Sequence, residues 1–183
     1  MSASPSAPAA ETATDAGLGV AALVYRTENY PDAAFHALVG RARELGLRVA
    51  GALQHLASED ADRRCDVVLE DLASGHRTPL FENRGRGARG CRLDEAALAE
   101  ATARIEGSLE GDPDLLVLSK FGKVECEGGG LRDLIAAAID RGIPVIIGVP
   151  DRNLAAWRQY AGEFAVELSD DLDEVTRWVE ALR

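Results

Sequence analysis

Apolar residues along the chain fall into short unbroken runs, separated by stretches with helical spacing. Val20-Ala21-Ala22-Leu23-Val24-Tyr25 is the first run, and its continuity predicts a strand buried on both faces. Pro31 suits the first turn of a following helix, where its missing N–H is not needed. Phe35, Leu38, Ala42 and Leu45 recur at helical spacing, and Gly46 supplies the stop. A second strand is expected over 49–53. The stretch 66–72 alternates less cleanly and meets 77–81 across Ala73-Ser74-Gly75-His76, a hairpin turn. Asp94 opens a helix with Leu98, Ala101, Ile105 and Leu109 on one face. Asp112-Pro113 then breaks the chain before Leu115-Leu116-Val117-Leu118, its most apolar strand. A helix over 131–139 precedes another apolar strand over 143–149. Asn153 is expected to cap a short helix reaching Tyr160, because its side chain accepts from free first-turn amides. An edge strand over 166–168 leads to a last helix faced by Leu172, Val175, Val179 and Leu182. Strands alternating with amphipathic helices predict an α/β fold. It is a three-layer sandwich with a mainly parallel sheet, an inserted β-hairpin, and ligands outside the carboxyl ends of the strands.

Composition changes that picture in few places. The 183 residues fit one domain, expected over 18–183, with the Ala-, Ser- and Pro-rich stretch 1–17 as a disordered leader. That stretch has no basic start and no apolar segment, so it is not a secretory signal. With no export signal, Cys65, Cys91 and Cys126 are expected to be reduced thiols in the cytoplasm. No run approaches the length of a membrane span, which argues against membrane insertion. A net charge of −11 argues against a general nucleic-acid binder.

Against that acidic background, Arg84-Gly85-Arg86-Gly87-Ala88-Arg89-Gly90-Cys91-Arg92 carries four arginines and no acid. Glycines let a backbone approach a ligand closely, and guanidinium groups supply forked donors. Gly85, Gly87 and Gly90 also spell G-x-G-x-x-G. A dinucleotide fingerprint, however, follows a strand directly and has an acid at the end of the next strand. Here the segment follows a hairpin, and the next strand ends in Ser119-Lys120. Anion binding is the better reading of this segment. Arg84, Arg86, Arg89 and Arg92 would supply charge, with the Gly90 and Cys91 amides near the start of a helix. The bland reading is a surface loop paired with the acidic body.

The order of elements resembles known proteins. Asp114 to Glu125, then Leu131-Arg132-Asp133 and Gly142-Ile143-Pro144-Val145, resembles the back half of nucleoside triphosphatases related to P-loop kinases. Asp71-Leu72 with Gly75, Gly90-Cys91-Arg92-Leu93-Asp94 and Lys120-Phe121-Gly122-Lys123 resemble the bacterial domain-of-unknown-function 2478 family over roughly 20–182. The resemblance implies a P-loop-NTPase-like fold. That family's association with molybdate-transport genes implies a role in molybdenum handling. A working phosphate loop needs G-x-x-x-x-G-K-[ST] after the first strand. Here that strand runs into Tyr25-Arg26-Thr27-Glu28-Asn29-Tyr30-Pro31-Asp32, with no glycine and two carboxylates. Ser119-Lys120 stands where an acid near magnesium is expected. Both departures argue against ordinary ATP or GTP hydrolysis.

Lys120 and Lys123 follow the central strand, where they would face the arginine segment across an anion; alternatively they pair with Glu125 and Glu127. Gly128-Gly129-Gly130 is either a lid or a loose connection. Cys91 is either a reactive thiol or soft metal ligand activated by nearby cations, or a small buried residue. His36, His55 and His76 share no metal-ligand spacing. The pattern assigns no catalytic residue, no metal-ligand set and no cofactor. The leading expectation is a cytoplasmic protein binding a small oxyanion such as molybdate, or a phosphorylated metabolite. Its ligand set is Arg84, Arg86, Arg89, Gly90, Cys91, Arg92, Lys120 and Lys123. The alternatives are a nucleoside triphosphatase or kinase-like enzyme with a non-standard site, and an interaction module for a transporter or cofactor-assembly partner. A homo-oligomer stays open.

Overall fold

The computed structural model describes residues 19–56, 67–82 and 92–183. The expected leader, residues 84–91 of the arginine segment, and Cys65 lie outside the described residues. Seven strands form one sheet in the order β4-β3-β2-β5-β6-β1-β7. Next to one edge, β1 (Val20–Tyr25) runs parallel to β6 (Val145–Pro150) on one side and to the edge strand β7 (Ala165–Leu168) on the other. β5 (Leu115–Leu118) lies between β6 and β2 (Val49–Leu56), parallel to both. The inserted hairpin, β3 (Val67–Asp71) and β4 (Arg77–Pro79), adds antiparallel to β2. In its turn the Asp71 carboxylate accepts from the Ala73 N–H and the Ser74 hydroxyl.

Alternation of side chains along each strand splits the core in two. Ala21, Leu23, Leu115 and Val117 pack under α1 (Asp32–Glu44) and α6 (Leu172–Glu180). Val20, Ala22, Leu116 and Leu118 point the other way. They pack under α2 (Glu95–Ser108), α4 (Arg132–Asp140) and α5 (Leu154–Ala161). A single turn, α3 (Lys123–Cys126), follows β5. The chain leaves β1 over the α1 face to reach β2, and leaves β6 over the opposite face to reach β7. Connections that part to opposite faces open a crevice at the carboxyl ends of adjacent strands. That switch point lies between β1 and β6.

Several local expectations are corrected. β2 continues to Leu56 rather than ending near Leu53, because its outer half pairs with β3 from Ala52↔Asp71 to Leu56↔Val67. Gly51 stands where β2 presses against β5, with φ +112°, and a Cβ there would lie 1.9 Å from the Val117 carbonyl oxygen. Asn153 precedes α5 but makes no side-chain cap. A 3-10 turn over Asp151–Asn153 already holds it in helical backbone, and its Nδ2 donates to the Phe121 carbonyl instead (2.8 Å). On α6, Leu172 is exposed and Trp178 joins Val175 and Val179 on the buried face. Asp94 caps α2 as expected, accepting from the Ala97 N–H at 2.9 Å.

Candidate functional site

The turn after β1 decides what the crevice offers an anion. Its tight backbone closes with the Asn29 N–H donating to the Arg26 carbonyl at 2.7 Å. Tyr30 folds inward, stacking on Phe35 (ring centroids 5.6 Å) and meeting Tyr25 edge-on (5.7 Å). Burial pushes the Tyr25 phenol up to about 12, against the opposing charge of Arg152, and raises Tyr30 as well. Pro31 occupies the N-cap of α1 and has no N–H to donate, and the exposed Asp32 carboxylate follows in the first turn. A helix start favours anions through its free amides and dipole. This one spends its position on a proline and a carboxylate.

Cations gather instead at the carboxyl ends of β5, β1 and β6. Lys120 leaves β5 half-buried, and burial followed by the charge of Arg152 holds its ammonium below the ordinary lysine value, while Glu125 pulls the other way. Arg152 leaves β6 and also acts on Tyr25. Arg26 leaves β1 beside Asp151. The Asp151 carboxylate is itself committed: Oδ1 accepts from the Thr27 N–H (3.0 Å), the Thr27 hydroxyl and the Arg152 N–H (2.8 Å). Those bonds, the Thr27 hydroxyl first, hold its pKa below the usual carboxylate range. They also tie the β1 exit to the β6 exit. Among the described residues, no carboxylate lies within ion-pair distance of Lys120, Arg26 or Arg152.

The floor beneath Lys120 is built by a buried acid. Glu125 accepts from the Gly122 N–H (2.8 Å) and the Leu131 N–H (3.0 Å). A Cβ on Gly130 would lie 2.0 Å from the Glu125 Oε1, so that glycine packs closely on the carboxylate, whereas Gly128 and Gly129 face the Arg132 and Val124 side chains. Phe121 packs behind this loop against Trp157 and Tyr160.

The sequence-predicted set is divided. Lys120 stands at the crevice. Lys123 points to solvent and pairs with Glu127 at 3.6 Å, one helical turn on. Arg92 is exposed and lies 3.5 Å from Glu82. The Glu82 N–H donates to the Arg92 carbonyl, so these two close the stem from which 83–91 departs, beyond the carboxyl end of β4. Arg84, Arg86, Arg89, Gly90 and Cys91 lie outside the described residues. Arg26 and Arg152 were missed, although each follows a strand as Lys120 does.

Comparisons with known proteins agree with this architecture. A family model described as "Protein of unknown function (DUF2478)" matches residues 20–178. The chain is 31% identical over 159 residues to the Molybdenum import ATP-binding protein ModC 2 of Bradyrhizobium diazoefficiens; the match covers 87% of this chain and 18% of that protein. The chain therefore spans less than a fifth of that relative's length. Among solved structures, a human cancer-related nucleoside triphosphatase aligns with a TM-score of 0.60 at 14% identity, over 88% of this chain and 94% of that one. The likeness is one of fold: a seven-stranded, mostly parallel sheet flanked by helices, like that of P-loop nucleoside triphosphatases. No helix among the described residues is long and apolar enough to cross a membrane.

Proposed function

The chain belongs to the DUF2478 family, and within it we propose an anion-binding role, with the ligand held outside the carboxyl ends of β5, β1 and β6. The ligand class is a small oxyanion or a phosphorylated small molecule. The observation that carries this reading is the half-buried Lys120, leaving β5 on the far side of β6 from the switch point, beside Arg152, which leaves β6 itself. Keeping one cation partly desolvated next to another is unfavourable unless something anionic completes the site. Arg26 adds a third charge. The arginines of 84–92 are proposed to close over the ligand, because their stem at Glu82 and Arg92 rises from the same edge of the sheet. The relative's name, a molybdenum import protein that binds ATP, makes molybdate the first oxyanion to test and molybdenum handling the proposed context. The proposed compartment is the cytoplasm.

A charge-assisted hydrogen bond contributes ~1.5–3 kcal/mol net. Three such bonds reach the ~8 kcal/mol of a micromolar site. The test is a thermal-shift and calorimetric panel of molybdate, tungstate, sulfate, phosphate and ATP. A true ligand at about a hundredfold over its dissociation constant stabilises the fold by ~2.7 kcal/mol. Lys120→Met and Arg152→Met should each remove most of that shift. If no anion moves the melting temperature, the reading fails. Magnesium-dependent phosphate release from ATP, surviving Lys120→Met, would replace it with a nucleoside triphosphatase using a non-standard site, the reading favoured by fold alone.

A further inference from the structure

We propose that Asp32, His36 and His55 form a binding site for a divalent transition-metal ion. Their donor atoms all lie within 4.8 Å of one another. Two elements bring them together. Asp32 and His36 stand one turn apart on α1, so they share a face, and the His36 Nε2 lies 3.5 Å from an Asp32 carboxylate oxygen. His55 comes from the outer half of β2, the part that pairs with the inserted hairpin. Its ring centroid lies 5.4 Å from that of His36.

The state of His55 is the second observation. Its Nε2 is shut off from solvent and has no hydrogen-bond partner among the described residues. Glu70 lies 3.2 Å away but without hydrogen-bond geometry, and the same carboxylate oxygen also accepts from the Arg77 guanidinium at 2.9 and 3.1 Å. A buried ring nitrogen without a partner is costly, and a metal bond is one of the few things that would satisfy it. Two imidazoles and one carboxylate form a borderline donor set. It suits zinc and its transition-metal neighbours and does not suit magnesium or calcium, which prefer all-oxygen shells. Bond lengths of ~2.0–2.1 Å to a tetrahedral zinc ion put ligand atoms ~3.4 Å apart. The donors must therefore close by about an ångström. His36 and Asp32 are 55% and 60% exposed, so rotating their side chains inward disturbs no core contact.

Zinc titration into the metal-free full-length chain, without oxyanion, tests this by calorimetry. The expected result is one ion per chain. His36→Ala and His55→Ala should weaken binding beyond the ~10–100-fold that losing an outer-shell partner costs. Asp32→Asn should weaken it less, because an amide oxygen remains. His76→Ala is the control, since that histidine sits in the β3–β4 turn, and it should leave affinity unchanged. His36 is exposed, so its variant keeps the fold whatever happens at His55. Absence of zinc binding in the parent chain would overturn the proposal. So would unchanged affinity in His36→Ala and His55→Ala, or thiolate-to-metal absorption on loading with cobalt, which would place the ion on cysteine.

Discussion

Replacing Glu125 asks whether the floor under Lys120 is held from below. The carboxylate is only 8% exposed, so water does little to screen it. It satisfies the amides of Gly122 and Leu131 at 2.8 and 3.0 Å, one on each side of the loop that follows β5. Glu125→Ala leaves both partly buried N–H groups without that acceptor. Each orphaned donor costs ~1–3 kcal/mol, so the variant should lose ~2–6 kcal/mol. That is a large part of the ~5–15 kcal/mol by which a domain is stable. Glu125→Gln keeps one carbonyl oxygen and turns an NH2 group against the other amide. It should lose about half as much, ~1–3 kcal/mol. Urea unfolding reads both variants as a lower midpoint at unchanged slope, the signature of a change in stability alone. Removing the acid also removes the charge that supports the Lys120 ammonium, so that lysine should titrate lower still. A loss below about 1 kcal/mol in Glu125→Ala at unchanged slope would refute the reasoning. It would mean that the loop reopens and lets water satisfy both amides.

Two further predictions rest on other parts of the fold. Gly51→Ala should cost ~2–6 kcal/mol, combining a strained positive φ with a Cβ driven into the Val117 carbonyl; a melting curve close to that of the parent would show that β2 and β5 separate easily. The chain has three tyrosines, and all are held above the ordinary phenol value of 10.0, each chiefly by burial. Raised phenol values mean that the unfolded chain loses these protons first. Stability is therefore full below pH 10 and falls as pH rises toward about 12, where Tyr25 ionises in the folded state. Alkaline titration by tyrosinate absorbance of a Tyr160→Phe variant should show no step near pH 10 in the native state, and a reversible native-state step there would count against the packing of Tyr25 and Tyr30.

What was legible in the sequence depended on how completely each element is buried. Strands β1, β5 and β6 are covered on both faces, so they read as unbroken apolar runs, and their limits came out within about two residues. The hairpin was legible from its turn, where Asp71, Ser74 and Gly75 do the local bonding. The outer half of β2 was missed because Gln54 and His55 break the apolar run just where the strand passes from a buried parallel neighbour to an antiparallel hairpin. On α6 the expected face holds, with Val175 and Val179 buried and Leu182 packed against the core, and only its first member departs. Leu172 is apolar but lies at the exposed start of the helix, and Trp178 takes the buried position. Asn153 carries the right residue type for a cap. The preceding 3-10 turn changes its backbone, and the side chain goes to Phe121.

The candidate site was legible only where topology, rather than a motif, places it. Lys120 was found because a residue leaving the carboxyl end of a central strand is where ligands are met. Arg152 and Arg26 obey the same rule at β6 and β1, yet neither belongs to a pattern that a motif would mark. The histidine cluster was out of reach for the opposite reason. His36 and His55 lie on different elements, and only the packing of α1 near the outer half of β2 brings them together. The absent phosphate motif, by contrast, was plain in the sequence, and the structure supplies its physical reason. A loop that cradles phosphate must turn its amides outward; here Tyr30 turns inward onto Phe35 and Pro31 takes the helix start. A mostly parallel sheet flanked by helices, like that of P-loop nucleoside triphosphatases, forms here with Tyr30 of that loop packed against its core. The cations at its carboxyl edge, Lys120, Arg26 and Arg152, are placed by where β5, β1 and β6 end rather than by a motif.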